Sequence, residues 1–328
     1  MSAQRPRLTL RTGPENTRIL GLGSALGNRV VTNHDLAETI DTSDEWIRER
    51  VGIVSRRLAD PEQSLVSMGI EAGAKAVADS GLAAAEIDAL VFATCTMPGP
   101  IPNAAAQTAA AIGINAGAAF DLNAACAGFS YALGTASDLI RGGSAKRVLV
   151  VGGERFTDWV DWTDRANAII FADGAGAAVV GPADEPGIGP VAWGSAGDLA
   201  QTIHLRDNRY IYQEGQSVFR WATTQIAPVA EQAVQAAGLQ LSDIDALIPH
   251  QANLRIVESI AKRLRSKGAR EDMVVARDIV HTGNTSAGSI PIALDHMRSA
   301  GEISHGDVLL LIGFGAGLSY AGQVVVCP

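Results

Sequence analysis

Apolar and polar residues alternate along the chain in blocks that predict helices and buried strands in turn. Residues 67–79 and 127–141 carry the apolar spacing of helices, and each stretch is followed by glycine. Short apolar runs at residues 89–93, 147–151 and 171–180 predict buried strands. Helices that alternate with such strands indicate a layered α/β fold.

The chain also repeats itself once. Residues 81–91 (GLAAAEIDALV) resemble residues 238–248 (GLQLSDIDALI) at an offset of 157. Two further matches follow in the same order, CAG at 126–128 with SAG at 286–288 and residues 148–151 with 308–311. The sequence therefore predicts two copies of one α/β unit, residues 1–180 and 181–328, packed around a shared central layer.

Composition limits the class of protein. Of the 328 residues, 47% are hydrophobic and 19% are charged, which excludes a disordered protein. The 35 acidic and 26 basic side chains give a formal net charge of −9, which argues against broad nucleic-acid binding. Any contact with a polyanion must therefore use a local basic patch.

A cytoplasmic protein that neither spans a membrane nor binds a metal is expected. The first 20 residues contain no continuous apolar stretch, so they do not resemble a signal peptide. Residues 104–120 are mostly Ala and Gly and predict a buried helix followed by a turn rather than a membrane span. The three cysteines, Cys95, Cys126 and Cys327, are far apart and indicate neither a disulfide framework nor a metal site.

Cys126 is the candidate nucleophile. It follows the strand-like residues 118–122 and stands at the start of a predicted helix. Free backbone N–H groups and the helix dipole favour a thiolate there. The alternative interpretation is a buried, inert cysteine, which is the commoner kind. Cys95 and Cys327 are weaker candidates.

Two polar residues of the second copy are candidate partners for Cys126. His250 directly follows the second copy's buried strand, and α/β sheets place their ligands at such carboxyl ends. Asn284 lies two residues before the second copy's match to Cys126. The duplication therefore places Cys126 and Asn284 at corresponding helix starts that face a common centre. A purely structural role for His250 is the alternative.

Two other segments suggest nucleotide binding. A capping box at residues 42–45 (TSDE) predicts a helix that carries Trp46 and Arg50 one turn apart on one face. An indole beside a guanidinium suits an adenine ring with its phosphates, and a Trp at an interface beside a surface Arg is an equal alternative. The glycines of residues 21–27 follow a predicted strand but miss the GxGxxG spacing, so a nicotinamide enzyme is a weaker alternative.

Longer motifs resemble a known family. They are AACAGFSYAL at 124–133, IPHQANLR at 248–255, HTGNTSAGSIPIAL at 281–294 and GFGAGLSYAG at 313–322, with DTSDEWIRERVGI at 41–53 and FADGAGAAVV at 171–180 in agreement. The chain resembles the 3-oxoacyl-[acyl-carrier-protein] synthase III enzymes, thiolase-fold condensing enzymes of fatty-acid initiation, from about residue 19 to 326. The resemblance implies a five-layer αβαβα fold, a homodimer, and a Cys-His-Asn triad at Cys126, His250 and Asn284.

The same resemblance implies the reaction and the remaining site residues. Cys126 takes an acyl group from acyl-CoA and condenses it with malonyl-acyl carrier protein, with loss of CO2, and no cofactor is expected. His250 and Asn284 donate hydrogen bonds to the enolate, and the N–H groups of Cys126 and Ala316 form an oxyanion hole. By resemblance, CoA contacts Trp46, Arg50 and Arg165, and its pantetheine channel is lined by Asn253 and Phe314.

A basic run predicts where an acidic carrier protein binds. Residues 255–270 contain six cations and one acid, Glu258. The run begins five residues after His250, and we expect it to steer acyl carrier protein through Arg255, Lys262 and Arg263. An ordinary solvated helix face is the alternative.

Two departures from the family bear on the acyl group. By resemblance, the loop at 98–102 offers Ile101 to close the acyl pocket across the dimer interface. Ile is smaller than the Phe of acetyl-selective members, so a branched or medium-length acyl group is expected. The segment at 194–215 looks shorter than in relatives, which would open the pocket.

Other functions stay open at this point. An acyltransferase, or a starter-unit synthase of a secondary-metabolite pathway that acts without malonyl condensation, shares the triad. A non-catalytic partner subunit is disfavoured because all three triad positions are filled. An enzyme of the hydroxymethylglutaryl-CoA synthase type needs a Glu near the thiol, and none flanks Cys126 in the sequence.

Overall fold

The computed structural model describes residues 8–115 and 117–328. Residues 1–7 and Ala116 lie outside the described residues. The first seven belong to the predicted N-terminal half and to the stretch considered as a signal peptide. The elements up to residue 183 are, in chain order, β1 (Asn16–Leu26), β2 (Arg29–Thr32), α1 (Asn33–Ala37), α2 (Asp44–Val51), β3 (Ser55–Leu58), α3 (Leu65–Asp79), β4 (Ala89–Ala93), α4 (Ala104–Ile112), β5 (Ala118–Leu122), α5 (Gly128–Arg141), β6 (Val148–Arg155), α6 (Arg165–Ala168) and β7 (Asp173–Ala183).

The remaining elements form a second set of the same kind. They are β8 (Ala192–Ser195), β9 (Ile203–Arg206), β10 (Tyr210–Gln213), α7 (Gly215–Ala236), β11 (Ala246–Pro249), α8 (Leu254–Arg265), β12 (Val274–Val275), α9 (Ile279–Thr282), α10 (Ser289–Ser299), β13 (Val308–Gly315) and β14 (Ser319–Val326).

Two five-stranded sheets carry the fold, and they have one topology. The first has the strand order β1-β7-β6-β4-β5 and the second β8-β14-β13-β11-β12. In the first sheet β4 pairs in parallel with β5 and β6, while β6–β7 and β7–β1 are antiparallel. The second sheet repeats this pattern of directions strand for strand. The chain is thus built from two duplicated halves.

Apolar packing arranges these elements in five layers. Helices α5 and α10 lie between the sheets, where Phe129 and Leu294 share one core with Val150 and Leu311. Helices α3 and α4 cover the outer face of the first sheet. Helices α7 and α8 cover the outer face of the second sheet. The order αβαβα is that of the thiolase fold, as the resemblance implied.

The structure shifts the predicted match between the two copies by one residue. Short 3-10 turns span Ala125–Ala127 and Ser286–Gly288, and their first residues, Ala125 and Ser286, both have positive φ. The Asn123 side-chain oxygen accepts the Ala125 N–H, and the Asn284 side-chain oxygen accepts the Ser286 N–H. Cys126 therefore corresponds to Ala287, not to Ser286, and Asn284 corresponds to Asn123.

Two further sequence predictions need correction. The glycines of residues 21–27 lie largely within β1 rather than after a strand. A β-carbon on Gly23 would lie 2.5 Å from the Ala72 oxygen, so glycine there lets β1 pack against α3. The strand predicted at 147–151 continues to Arg155, and this extension carries Glu154 into the interior.

No helix in the described part of the chain is long and apolar enough to cross a membrane.

Candidate active site

Cys126 sits on the turn between β5 and α5. The Asn123 side chain accepts a hydrogen bond from the Ala125 N–H at 3.1 Å, and Ala125 adopts φ 46°. This turn directs the thiol toward the end of β13. A β-carbon on Gly315 would lie 2.6 Å from the Cys126 β-carbon and 2.9 Å from its sulfur, so only glycine admits this approach.

Burial of Cys126 opposes the thiolate that the helix start favours. Burial of the thiol, with a smaller contribution from the charge of Glu154, raises the pKa of Cys126 to about 11. The Ser286 hydroxyl and the Ala316 N–H hydrogen-bond the sulfur and act in the opposite direction. The Ala316 N–H lies near the Cys126 sulfur, and its role in an oxyanion hole stays a prediction.

His250 follows β11 and is held as a neutral ring. Its backbone N–H donates to the Ile312 carbonyl oxygen at 2.7 Å. Its ring packs edge-on against the Phe314 ring, with centroids 5.3 Å apart. Burial lowers the pKa of His250 to about 3. Its Nδ1 lies 2.7 Å from the hydroxyl oxygen of Ser289, which also accepts the Gln251 N–H. The Ser289 hydrogen is thus available to Nδ1, which leaves the ring hydrogen on Nε2.

Asn284 is fixed by its backbone and by one side of its amide. Its N–H donates to the Ile170 carbonyl oxygen, and its carbonyl oxygen accepts from Ala172, both at 2.9 Å. Its Oδ1 accepts the Ser286 N–H at 2.8 Å. The Asn284 Nδ2 makes no hydrogen bond to another described residue, so it can donate to a bound molecule.

The contacts of the three residues converge on two short segments. Residues 314–316 touch both Cys126 and His250. Residues 284–289 contain Asn284 and supply Ser286 to Cys126 and Ser289 to His250. The structure therefore brings together an enclosed thiol, a neutral imidazole and an amide with an available N–H. Within the described residues, no group of three or more metal-ligating side chains was found.

Glu154 is a buried acid near this thiol that the sequence reasoning missed. Its carboxylate is fully buried and accepts hydrogen bonds from residues 94–96 and from the Ser286 hydroxyl. The sequence does place a single carboxylate in the otherwise apolar run of residues 148–154, which is the signal that was available. Although no Glu flanks Cys126 in the sequence, the charge of Glu154 acts on its thiol in the folded chain.

Three predicted CoA contacts come together at the surface. Two guanidinium groups lie over the Trp46 ring, with the Arg50 carbon at 5.3 Å and the Arg165 carbon at 4.7 Å from its centroid. The predicted capping box is wrong by one residue, because Ser43, not Thr42, caps α2 and accepts the Trp46 N–H. Beside Arg165 opens a cleft of about 550 Å³ whose lining includes Asp164.

The two residues assigned to the pantetheine channel occupy different environments. Asn253 is the N-cap of α8, and its Nδ2 donates to the Arg50 carbonyl oxygen at 3.3 Å, which ties it to the Trp46 cluster. Phe314 is buried and belongs to the wall around His250. Asn253 therefore stands near the surface and Phe314 at the inner end.

The loop predicted to close the acyl pocket projects from the chain. Ile101 is 88% exposed, so within one chain it closes no pocket. The segment at 194–215 folds into a 3-10 turn and a hairpin of β9 and β10.

In the structure, several cations of the basic run are held by other residues of the chain. Two of its cations form salt bridges, Lys267 with Glu231 and Arg270 with Asp245 and Asp272, and a third, Arg265, donates to the Met273 carbonyl oxygen. Of the other three, Arg255 lies over the Phe219 ring and Arg263 donates to the Thr223 carbonyl oxygen. Arg255, Lys262 and Arg263 form no salt bridge with any described residue, and we call these three the α8 basic face.

The chain is similar to known proteins over nearly its whole length. The family model described as 3-oxoacyl-[acyl-carrier-protein] synthase III matches residues 120–197, and the model of the C-terminal part of the same enzymes matches residues 234–327. Beta-ketoacyl-[acyl-carrier-protein] synthase III 4 of Streptomyces coelicolor is 50% identical, over 96% of this chain and 99% of that protein. The mycobacterial beta-ketoacyl-[acyl-carrier-protein] synthase III of Mycobacterium avium is 47% identical, over 98% and 99%.

Solved structures show the same likeness. The priming β-ketosynthase from the R1128 polyketide biosynthetic pathway superposes with a TM-score of 0.94 at 41% identity, over 98% of this chain and 99% of that one. The 3-oxoacyl-[acyl-carrier-protein] synthase III from Aquifex aeolicus VF5 gives a TM-score of 0.90 at 36% identity, over 95% and 100%.

Proposed function

Since the chain belongs to the 3-oxoacyl-[acyl-carrier-protein] synthase III family, an acyl-transferring family of condensing enzymes, we propose that Cys126, His250 and Asn284 are its catalytic triad. The enzyme takes an acyl group from acyl-CoA and condenses it with malonyl-acyl carrier protein to give 3-oxoacyl-acyl carrier protein. The observation that carries this proposal is the enclosed Cys126 sulfur, packed on Gly315 and hydrogen-bonded by the Ala316 N–H.

In the first step the Cys126 sulfur attacks the thioester carbonyl carbon of acyl-CoA. The negative charge that develops on the carbonyl oxygen needs donors fixed in advance. The N–H groups of Cys126 and Ala316 lie near the sulfur and are suited to this role. CoA leaves, and the acyl group stays on Cys126 as a thioester, which divides one difficult reaction into two easier ones.

In the second step the malonyl group loses CO2, and its thioester oxygen becomes an enolate oxygen. The Nε2–H of His250 and the Nδ2 of Asn284 donate to that oxygen. Because burial keeps the pKa of His250 at about 3, the ring is a neutral donor at neutral pH. A neutral ring stabilises the enolate without protonating its carbon, which then attacks the acyl group on Cys126.

The Trp46 cluster and the α8 basic face receive the two carriers. Trp46 with Arg50 and Arg165 offers an aromatic ring and two cations to the adenine and phosphates of CoA. Asn253 and Phe314 line the way inward for pantetheine. Arg255, Lys262 and Arg263 attract the acidic acyl carrier protein, and Ile101 meets the acyl pocket of a second subunit in a homodimer. Cytoplasmic location and the lack of a cofactor stay predictions.

A second candidate pathway has one observation in its favour. The structure that matches with a TM-score of 0.94 is a priming ketosynthase of a polyketide pathway. Priming of polyketide synthesis with a branched or medium-length acyl group is therefore an alternative to fatty-acid initiation. Acyl transfer without condensation is a further alternative.

One experiment separates these reactions. The protein is incubated with a panel of acyl-CoAs, and intact-mass spectrometry records the adduct; malonyl-acyl carrier protein is then added. An adduct on Cys126 that Cys126→Ser abolishes and Cys327→Ser retains, followed by CO2 release and a 3-oxoacyl product, is the expected result. Acyl transfer without CO2 release would contradict the condensation, and the preferred acyl-CoA identifies the pathway.

A further inference from the structure

Glu154 is a buried carboxylate that the two steps above do not use. Its Oε2 receives four donors at 2.6 to 3.1 Å, the Thr94 and Thr96 hydroxyls and the Cys95 and Thr96 N–H groups. The nearest cation along the chain, Arg155, bonds the Gln63 carbonyl oxygen and Asp158 instead. A buried charge without a cation is costly unless hydrogen bonds satisfy it. These donors therefore hold Glu154 at the end of β6 as a fixed acceptor.

The other oxygen of Glu154, Oε1, bonds the second half of the chain. The Ser286 hydroxyl donates to Oε1 at 3.2 Å, and both residues are fully buried. The Ser286 N–H in turn donates to the Asn284 Oδ1 at 2.8 Å. Since the two polar atoms of an amide are fixed relative to each other, the bond to Oδ1 also sets where Nδ2 points. Two hydrogen bonds thus connect Glu154 to the proposed enolate donor Asn284.

Glu154 and Gly315 occupy equivalent positions in the two halves. The pairing of β4 with β6, and that of β11 with β13, places residues 148 and 309 at the same point of the two sheets. Glu154 and Gly315 lie equally far beyond these residues on β6 and β13. The fold therefore places a carboxylate in one half where the other half has a glycine.

Each of these two positions faces a turn of the opposite half. Gly315 leaves room for the Cys126 sulfur at the first turn, whereas Glu154 accepts the Ser286 hydroxyl at the second. The first turn has no such hydroxyl, because Ala125 stands where the second turn has Ser286. Ala125 nevertheless adopts a similar positive φ and makes the same bond to an asparagine side chain. The Ser286 hydroxyl is therefore not needed to form the turn, and its bond to Glu154 is particular to the turn that carries Asn284.

We propose that Glu154 is a positioning residue that fixes the Asn284 amide, through Ser286, for the decarboxylation step. The proposal rests on the proposed function, in which Asn284 donates to the enolate. Without the carboxylate, the Ser286 hydroxyl loses its acceptor, and the Asn284 amide turns away from the enolate oxygen. Acylation of Cys126 does not use that amide, so the two steps respond differently.

The first experiment measures both steps in single turnovers. Ser286→Ala removes the hydroxyl and keeps the turn, since alanine occupies this position in the other half. We expect acylation of Cys126 by acyl-CoA to be unchanged and CO2 release from malonyl-acyl carrier protein to fall about tenfold, because small misplacements of a reacting group are costly. The control Thr94→Val removes one donor to Glu154 Oε2 but keeps the bond to Ser286, so CO2 release should stay at the wild-type rate.

A combined variant shows whether the effect passes through Asn284. In the Asn284→Ala background, Ser286→Ala should cause no further loss of CO2 release, because the group that Ser286 positions is gone. Losses that multiply in the double variant would overturn the proposal. Equal slowing of acylation and CO2 release by Ser286→Ala, or no slowing of either, would also overturn it.

A second measurement does not depend on activity. The side-chain amide signal of Asn284 is identified in NMR spectra as the one that Asn284→Ala removes. In Glu154→Gln the side-chain oxygen keeps the donors of residues 94–96, so the NH2 group faces Ser286 and cannot accept its hydroxyl hydrogen. We expect the Asn284 signal to broaden in this variant and to stay sharp in Thr94→Val.

The outcomes of the two measurements are distinguishable. A sharp Asn284 signal in Glu154→Gln would overturn the positioning role, and Ser286→Ala is measured in its place if Glu154→Gln does not fold. A wild type that acylates Cys126 but releases no CO2, while the Asn284 signal responds as expected, would contradict the proposed function alone.

Discussion

Gly315 packs directly against Cys126, with room for a hydrogen but not for a methyl group. A β-carbon on Gly315 would lie 2.6 Å from the Cys126 β-carbon. Gly315 has an extended backbone, φ 174°, that any residue can adopt. The requirement for glycine at this position is therefore steric, and it is set by Cys126 of the other half.

We expect Gly315→Ala to abolish acylation of Cys126 and to destabilise the fold by about 1–3 kcal/mol through overpacking. Intact-mass spectrometry with acyl-CoA and urea unfolding measure the two effects. Gly197→Ala is the matched control, because a β-carbon there meets nothing within 4 Å. Normal acylation by Gly315→Ala would contradict the close packing.

Loss of the enolate donors separates the two steps of catalysis. His250→Ala and Asn284→Ala should keep the acyl adduct on Cys126, while decarboxylation of malonyl-acyl carrier protein falls about 10²–10³-fold. Ser289→Ala removes the 2.7 Å contact to His250 Nδ1 and should give a smaller loss of the same kind. Single-turnover acylation and CO2 release are measured on each variant. Equal loss of both steps would argue against this division of roles.

Charge reversal on α8 tests the carrier-protein surface. Lys262→Glu should slow condensation about tenfold at low salt, with a smaller effect at high salt, because steering by charge is screened. Its acylation by acyl-CoA should be unchanged. Lys267→Glu changes the net charge equally, but Lys267 is paired with Glu231, so it serves as control. If both variants slow condensation alike, net charge and not the α8 basic face is responsible.

Buried His250 makes part of the stability depend on pH. Its pKa is about 3 in the folded protein and ordinarily 6.5, so below 6.5 the unfolded chain binds a proton that the folded chain does not. Stability from this group is present above pH 6.5 and is lost as pH falls from 6.5 toward 3, by up to about 1.4 kcal/mol per pH unit. Urea unfolding of the wild type and His250→Gln between about pH 7.5 and 5.5 should show a flatter profile for the variant. The exposed His305→Gln should match the wild type, and a variant profile as steep as the wild type's would contradict the assignment.

The sequence predicts best what depends on local pattern. The apolar run at 89–93 and the strand-like run at 118–122 coincide with β4 and β5. The turn residues on either side of such a run mark where the strand begins and ends. The order of the layers also follows from alternation and duplication. The motifs place Cys126, His250 and Asn284 in one region, but only by symmetry and resemblance.

What the sequence could not show depends on contacts between distant residues. The start of α5 suggested a thiolate, but enclosure of the thiol raises its pKa to about 11. The basic run showed six cations, and only the folded chain brings Glu231 and Asp245 to two of them. Glu154 is 132 residues from Ser286 along the chain, so no local pattern joins them.

The glycines at the centre of the molecule restrict substitution near the proposed catalytic residues but not at the residue proposed to select the acyl group. A β-carbon on Gly152 would lie 2.4 Å from the Ala287 oxygen, and one on Gly288 would lie 3.0 Å from the Gly174 oxygen, so neither half can enlarge a residue here without displacing the other. Ile101 is 88% exposed and meets no such constraint within the chain. Under the proposed function, we therefore expect new acyl specificities to arise by single substitutions at Ile101, while the proposed catalytic centre changes only if both halves change together.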